Sequence, residues 1–278
     1  MTMTFKKQGK KYQKYWSFFR LRFATGLQYR AAALAGIATQ FAWGFMDIKV
    51  FMAFERTDPT AFPMTFGQLA AYVWLQQAFL AFFMGWLMEG EIFDCITSGN
   101  IAYELCRPVD IYNMWFARSM ATRMAAGLLR CFPILIVASL LPEPYRIHAL
   151  SDPVTAVWFV VTMLLGLTVT VALCMIVYML TFFTISSMGI KLIFTIGAEF
   201  FQGGVIPLPF FPKAMQTIME LLPFAAMQNV PLRVYSGNLS GGALIRAVLL
   251  QVFWIFALIA IGKLLCACAM QKTTVQGG

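Results

Sequence analysis

The sequence has few charged residues for its length. Of its 278 residues, 12% are charged and 60% are hydrophobic, and the mean hydropathy is +0.73. Because about a quarter of the residues in a soluble domain are charged, this composition excludes an ordinary water-soluble fold. It also excludes a disordered chain, since so much apolar side chain would not stay solvated. The remaining class is an integral membrane protein.

The chain also lacks the residue patterns of an enzyme. It has one histidine, His148, and its six cysteines include no C-x-x-C pair, so a zinc site has no ligand set. No G-x-x-x-x-G-K-[ST] segment is present to bind nucleotide phosphates, and no serine lies in a G-x-S-x-G turn. We therefore predict a non-enzymatic chain that binds no cofactor or metal itself and keeps its cysteines reduced.

Apolar runs predict an all-α protein with six membrane-spanning helices. A spanning helix needs about 20 apolar residues, and the runs are separated by loops rich in charge, proline or glycine. The fifth run is unusually short, because glycines and prolines interrupt it soon after Phe201. The predicted spans are 31–51, 67–87, 114–141, 154–183, 190–201 and 243–270.

The basic residues predict how the chain is oriented. Eight of the 21 lysines and arginines precede residue 31, in a segment that we expect to be retained rather than cleaved as a signal peptide. Cytoplasmic segments of membrane proteins carry the excess of Lys and Arg, so both termini of this multi-pass plasma-membrane protein are predicted to be cytoplasmic. The predicted parts are an N-terminus over 1–30, one transmembrane domain over 31–270 and a tail over 271–278.

Residues 10–23 predict an amphipathic helix in the membrane interface. Aromatic residues recur at i, i+3, i+4, i+7 and i+11, and polar residues occupy the opposite side. Two roles stay open, an electrostatic anchor on lipid and an anchor that also contacts a cytoplasmic partner. The aromatic face consists of Tyr12, Tyr15, Trp16, Phe19 and Phe23.

The predicted cytoplasmic loop over 89–113 mixes acidic and apolar residues, unlike a linker. Apolar residues at i, i+1 and i+4 from Ile92 stripe one side of a short helix. Such a helix binds in a groove of a soluble partner and transmits its movement, whereas the alternative is a loop resting on the bilayer. The docking residues are predicted to be Glu91, Ile92, Phe93, Asp94, Ile96, Ser98, Arg107 and Pro108.

Two separated segments resemble the ABC-2 type permease family. The first is E-L-C-R-P-V over 104–109, and the second is G-V-I-P-L-P-F-F-P over 204–212, followed by L-P-F over 222–224, Pro231 and Gly237. More narrowly, the chain is similar to the branch with an L-x-R-P cytoplasmic loop and a P-L-x-F-F-P outer segment. Cys106 stands where that branch is expected to have leucine.

The resemblance implies the transmembrane subunit of an ABC exporter. Such a subunit has six helices, an N-terminal interface helix, a coupling helix between spans two and three, and short re-entrant outer helices before span six. The outer segment, 203–240, is then expected to depend on Gly204, Pro207, Phe210, Phe211, Pro212, Pro223 and Phe224.

The resemblance also implies partners. A second permease pairs with the chain, with a dissimilar one favoured over a second copy, and separate ATPase subunits bind ATP and Mg beneath the pair. Membrane lipids surround the assembly, and no nucleic acid is expected. The expected cargo is a hydrophobic or amphipathic molecule such as a drug, a peptide antibiotic, a lipid or a glycan intermediate.

Two sets of residues are predicted within the membrane. Arg130 and Glu199 lie at similar predicted depths, so they are expected to pair, unless Glu199 faces a wet vestibule. Aromatic residues of the second and fifth spans are candidates for an apolar substrate path, although packing or lipid contact is equally open for each. They are Phe79, Phe82, Phe83, Phe194, Phe200 and Phe201.

Two other functions compete with the ABC permease. An ion-coupled secondary transporter, which works without an ATPase, is expected to show an internal repeat and half-helices around a midplane site. The sequence shows no such repeat, and Glu199 is its one clear midplane acid. A membrane-bound transferase is disfavoured because His, Asp and Glu are not clustered.

Overall fold

The computed structural model is all-helical over the residues that it describes. Its backbone is described for residues 2–28, 30–148, 150, 152–184 and 186–272, and its side chains for the same residues except 2–12, 30–34, 61 and 272. Within these ranges the chain forms helices and no strand. The all-α prediction is thereby confirmed.

The α-helices of the described ranges follow one another along the chain with mostly short connections. They are α1 Thr2–Gly26, α2 Arg30–Thr57, α3 Phe66–Ala78, α4 Leu80–Phe83, α5 Gly90–Thr97, α6 Ile101–Leu105, α7 Ile111–Leu140, α8 Pro153–Thr181, α9 Ser187–Phe201, α10 Lys213–Leu221, α11 Asn229–Tyr235 and α12 Gly241–Lys272. Short 3-10 turns occupy Pro59–Ala61 and Leu208–Phe210.

Capping residues explain where several helices begin. Thr65 and Gln68 form a reciprocal capping box at the start of α3, which satisfies two backbone N–H groups. Asp110 accepts a hydrogen bond from the Asn113 N–H at 2.8 Å and so caps α7. Asp152 accepts from two N–H groups at the start of α8, where Pro153 takes the first helical position.

Three described helices are long and apolar enough to cross a membrane, namely Ile111–Leu140, Pro153–Thr181 and the stretch Gly241–Gln271 of α12. They overlap the predicted third, fourth and sixth spans. The predicted second span is broken into α3 and α4 at Phe79, and α9 has 15 residues, fewer than the roughly 20 that a straight crossing needs. The six-span count therefore remains a prediction.

Helix α8 lies at the centre of the packing. It contacts α4, α5, α7, α9, α11 and α12, and nearly all its residues from Gly166 to Met179 are buried. Helix α12, by contrast, exposes a stripe that includes Leu249, Phe253 and Phe256. Water would not stabilise so large an apolar surface, whereas lipid covers it. The chain is a membrane protein.

Candidate functional site

The docking segment, as we call residues 89–113, contains two short helices, α5 and α6, that side chains from the long helices hold in place. Arg118 of α7 donates through Nε to the Glu89 carboxylate at 3.0 Å and also pairs with Glu91. Because Arg118 is mostly buried, the ion pairs are shielded from water on one side. The acidic start of α5 is therefore fixed to α7.

Tyr178 attaches the same segment to α8. Its hydroxyl accepts a hydrogen bond from the Glu89 N–H at 2.8 Å, and its ring meets Phe93 edge-on with centroids 5.1 Å apart. Tyr178 is itself fully buried. The first turn of α5 is thus held by α7 through charge and by α8 through a hydrogen bond and an aromatic contact.

Arg123 stabilises the end of α4, just before the docking segment. Its guanidinium donates to the carbonyls of Met84 at 3.0 Å and Leu87 at 2.7 Å, with longer contacts to Ala81 and Phe82. The last carbonyls of a helix have no partner within it, and Arg123 is 1% exposed. One buried cation therefore replaces the hydrogen bonds that a continuing helix would have made.

The orientation of α5 differs from the predicted one. Ile92 and Phe93 are buried in the chain's own core, with Phe93 5% exposed, and Ile96 is half-buried. The prediction that this apolar stripe lies in a partner's groove is wrong, because Tyr178 and its neighbours already cover it. Asp94 and Ser98 remain exposed, as do Arg107 and Pro108.

The outward face of the segment is polar and aromatic instead. The Glu91 side chain is 71% exposed even though it pairs with Arg118, and Tyr103 of α6 is 76% exposed. The Arg118 hydrogen bond and charge hold the pKa of Glu91 below its usual value, with a smaller contribution from Arg22. The carboxylate therefore stays charged at neutral pH on a surface that is open to a partner.

Helix α1 packs along α7 and reaches the docking segment. The Tyr15 hydroxyl accepts from the Asp110 N–H at 3.0 Å, Lys14 donates to the Pro108 carbonyl at 3.4 Å, and Arg22 lies 3.9 Å from Glu91. These contacts come from the side of α1 that faces the chain.

The aromatic face of α1 is partly open. Trp16 stacks on Phe19, which stacks on Phe23, and Trp16 is the most exposed of the three. Tyr15 is instead turned towards the core, and the side chain of Tyr12 lies outside the described residues. The stacked aromatics suit a helix lying on lipid, although that role stays a prediction.

The outer segment between α9 and α12 is tied to α3 by backbone-directed hydrogen bonds. Gly203 has φ of +81°, a left-handed conformation that favours glycine, and it follows the end of α9. Tyr72 donates to the Gly203 carbonyl at 3.2 Å, and Gln76 donates to the Gly204 carbonyl at 2.6 Å. The chain therefore turns back sharply against a buried face of α3.

Aromatic contacts then hold the remainder of the outer segment. Pro207 and Pro223 are buried, whereas Pro212 is exposed at the start of α10. The ring contacts join Phe210 to Phe51 and Phe62, Phe211 to Phe200, and Phe224 to Phe201 and Phe194. All the residues predicted for this segment thus occur in one folded unit, and its entry into the bilayer stays a prediction.

The six aromatic residues predicted for a substrate path differ in burial. Phe82 and Phe83 are buried, and Phe82 packs so closely on Gly127 that a Cβ there would lie 2.1 Å from its ring. These two residues are therefore core residues, and the prediction is corrected for them. The remaining candidates are half-buried or exposed, namely Phe79, Phe194, Phe200 and Phe201.

The predicted ion pair between Arg130 and Glu199 is wrong. Among the described residues no ion pair joins them; the Arg130 guanidinium lies against α2, where a Cβ on Gly36 would come within 3.2 Å of its Cζ. Glu199 packs near Gly204 instead. The two residues have different neighbours because α7 packs on α2, whereas α9 packs on α8.

Sequence reasoning missed Glu89, Arg118, Arg123 and Tyr178 as residues that position the docking segment. The arginines were visible as charges five residues apart in an apolar helix, a pattern that signals a buried partner when the charges cannot leave the helix. Tyr178 carried no comparable signal, because one tyrosine in an uncharged apolar run is typical of a core.

Comparison with known proteins identifies the family. A family model described as "ABC-2 family transporter protein" matches residues 63–277, which include α3 to α12 and so both the docking segment and the outer segment. Searches of curated proteins and of solved structures returned no match. Since the matched region is well over half of the chain, the chain belongs to the ABC-2 family of transporter proteins.

Proposed function

We propose that the chain is the permease subunit of an ATP-driven exporter, and that the outward face of α5 and α6 is where a separate ATPase docks. Family membership makes the chain a transport permease and implies association with an ABC ATPase. The observation that carries the proposal is the two-sided character of the docking segment. Its inner face is locked to α7 and α8, and its outer face presents the exposed Glu91, Asp94 and Tyr103.

This arrangement suits mechanical coupling. A push on the outer face reaches α7 through Arg118 and Arg123, and it reaches α8 through Tyr178. Packed interiors transmit displacement rather than absorb it. Movement of an ATPase beneath α5 would therefore tilt α7 and α8. The free energy would come from ATP, which the ATPase would bind together with Mg and hydrolyse, since the chain carries no phosphate-binding loop of its own.

The proposed topology has six membrane passages in the plasma membrane with both termini in the cytoplasm. Three passages are the long apolar helices, and the other three would be α2, the broken pair α3–α4, and the short α9 with its returning outer segment. A broken helix at membrane depth is tolerated where protein satisfies its backbone, and Arg123 and Gln76 do so here.

Within the membrane, the proposed partner of this chain is a second permease, dissimilar or identical. One side of α9 is apolar and uncovered, with Met188, Ile193 and Ile196 exposed. The cargo would be hydrophobic or amphipathic and would move along the surface between the two subunits, where Phe200 is exposed. Lipid would cover the remaining apolar surface of the chain.

The test is recovery of an ATPase with the tagged, detergent-solubilised chain from its native membrane. Asp94→Lys and Tyr103→Ala are expected to lower recovery about tenfold or more, because a central aromatic or a reversed charge at an interface costs about 2 kcal/mol. Glu143→Lys, which changes an exposed acid elsewhere, is the matched control and should leave recovery unchanged.

A change at Phe93 is not a suitable test, because that side chain is buried and its loss would disturb folding. All variants should therefore elute like the unmodified chain in size-exclusion chromatography. Recovery of the chain alone, without ATP hydrolysis, would contradict the proposal and favour an ion-coupled carrier.

A further inference from the structure

A cavity of about 460 Å³ lies between α10, α11 and the first turns of α12. It is separate from the docking segment and from the aromatic residues considered for a substrate path. Its size falls in the range of small-molecule sites, about 300–1,000 Å³. Its lining is divided between a charged part and an apolar part.

The charged part carries a net positive charge. The Glu220 carboxylate is neutralised by Arg233 and also accepts a hydrogen bond from the Gln216 amide at 2.9 Å. Arg246 of α12 lines the same cavity and has no ion-pair partner among the described residues. One guanidinium is therefore left available for an anion.

A second polar group in the lining also lacks a partner. Asn229 is 1% exposed, and its Oδ1 accepts no hydrogen bond from the described residues. Leaving a buried polar atom unpaired costs about 1–3 kcal/mol, so a ligand hydroxyl that reached this atom from the cavity would recover that loss. An anionic ligand that also carries a hydroxyl group meets both requirements.

The apolar part of the cavity is built from small residues. Ala243 and Ala247 lie one turn apart on α12 and are followed by Leu250, with Leu221 and Val230 opposite. Small side chains at i and i+4 leave a groove along the helix, and this groove continues from the charged part. Apart from the charged and amide groups named above and Thr217, the lining is apolar.

We propose that this cavity binds an anionic amphiphile, with a phosphate and hydroxyl head group at Arg246 and Asn229 and a hydrocarbon chain along Ala243 and Ala247. Arginine is the residue best suited to phosphate because its guanidinium makes two parallel hydrogen bonds. The phosphate chemistry is shared by a lipid head group and by free inorganic phosphate, and the apolar groove favours the lipid.

The test uses the full chain in detergent and three probes: dihexanoyl phosphatidylglycerol, dihexanoyl phosphatidylcholine and inorganic phosphate. Thermal stability at rising probe concentration reports binding, since a ligand that binds only the folded state raises the melting temperature. The phosphatidylglycerol probe should stabilise the chain at concentrations about tenfold lower than either of the other two.

Two variants separate the parts of the site. Arg246→Ala should weaken phosphatidylglycerol binding about tenfold or more, because it removes a charge-assisted hydrogen bond, and the residue is exposed enough for the fold to survive. Ala247→Trp should abolish binding by filling the groove. Lys263→Ala, an exposed basic residue of α12 outside the cavity, is the control and should change nothing.

Other results would overturn the proposal. Equal binding of phosphatidylcholine would show that the charge is not recognised. Inorganic phosphate binding as tightly as phosphatidylglycerol would show an anion site without a role for the apolar groove. Binding that survives Arg246→Ala unchanged would place the probe elsewhere on the chain.

Discussion

Arg123 of α7 donates a 2.7 Å hydrogen bond to the carbonyl of Leu87, which lies just before the docking segment. The same guanidinium serves carbonyls from Ala81 to Met84. A single buried cation therefore joins the broken end of the α3–α4 passage to the helix that follows the docking segment.

Replacing Arg123 should destabilise the chain strongly. Arg123→Leu would leave several buried carbonyls without a donor, and each unsatisfied group costs about 1–3 kcal/mol, so we expect a loss of about 3 kcal/mol or more. Thermal unfolding in detergent measures it. Arg146→Leu, which changes an exposed arginine in the loop after α7, is the control, and an equal effect of the two changes would refute the role given to Arg123.

The Glu91–Arg118 pair predicts a pH dependence of stability. Arg118 lowers the pKa of Glu91 from its usual value of about 4.5 in the folded chain, so the unfolded chain takes up the proton first as the pH falls. The stability that the pair contributes is fully present above about pH 4.5 and is lost as the pH falls through the folded-state pKa.

The measurement is the melting temperature of the unmodified chain and of Glu91→Gln between pH 7 and pH 3. The difference between them should be constant at neutral pH and shrink towards zero at the acid end. In an Arg118→Gln background the pH-dependent difference should shrink to the smaller part that Arg22 contributes. A difference of unchanged size there would contradict the role given to Arg118.

Close packing of α8 against the outer segment gives a third prediction. A Cβ on Gly166 would lie 2.1 Å from the Met227 carbonyl oxygen, whereas a Cβ on Gly197 would meet nothing within 4 Å. Gly166→Ala should therefore destabilise the chain by about 1–3 kcal/mol through overpacking, and Gly197→Ala should be neutral or slightly stabilising. Comparable melting temperatures for the two variants would contradict the packing described here.

The fourth prediction concerns Gln76, which anchors the outer segment to α3. Gln76→Leu removes the donor to the Gly204 carbonyl, and it should cost about 1–3 kcal/mol and speed hydrogen exchange of the amides after Gly203. Gln13→Leu, at an exposed position of α1, is the control. If exchange after Gly203 stayed as slow as in the unmodified chain, Gln76 would not be the anchor.

The features that sequence predicted are those that depend on local chemistry. Hydropathy located α7, α8 and α12 within a few residues, since a span is a property of one continuous segment. Glycines and prolines marked the outer segment, because they interrupt helices wherever they occur. The family resemblance likewise depended on contiguous motifs, and the family match agrees with it.

The features that sequence did not predict depend on how helices face one another. Depth along a helix placed Arg130 and Glu199 at one level, but it carried no information on which neighbour each helix has. The apolar stripe of α5 was correctly located, yet a stripe does not say whether it covers its own core or a partner's surface. Ile92 and Phe93 are buried against α8, so docking depends on the opposite face.

The central claim is that the outer face of α5 and α6 touches an ATPase, and site-specific photo-crosslinking tests it most directly. A photoreactive residue at Tyr103, in the full chain in native membranes, should form a covalent adduct with a P-loop ATPase identified by mass spectrometry. The same residue at Leu140, exposed at the far end of α7, should form no such adduct. An ATPase adduct from Leu140, or none from Tyr103 while the complex is intact, would contradict the claim.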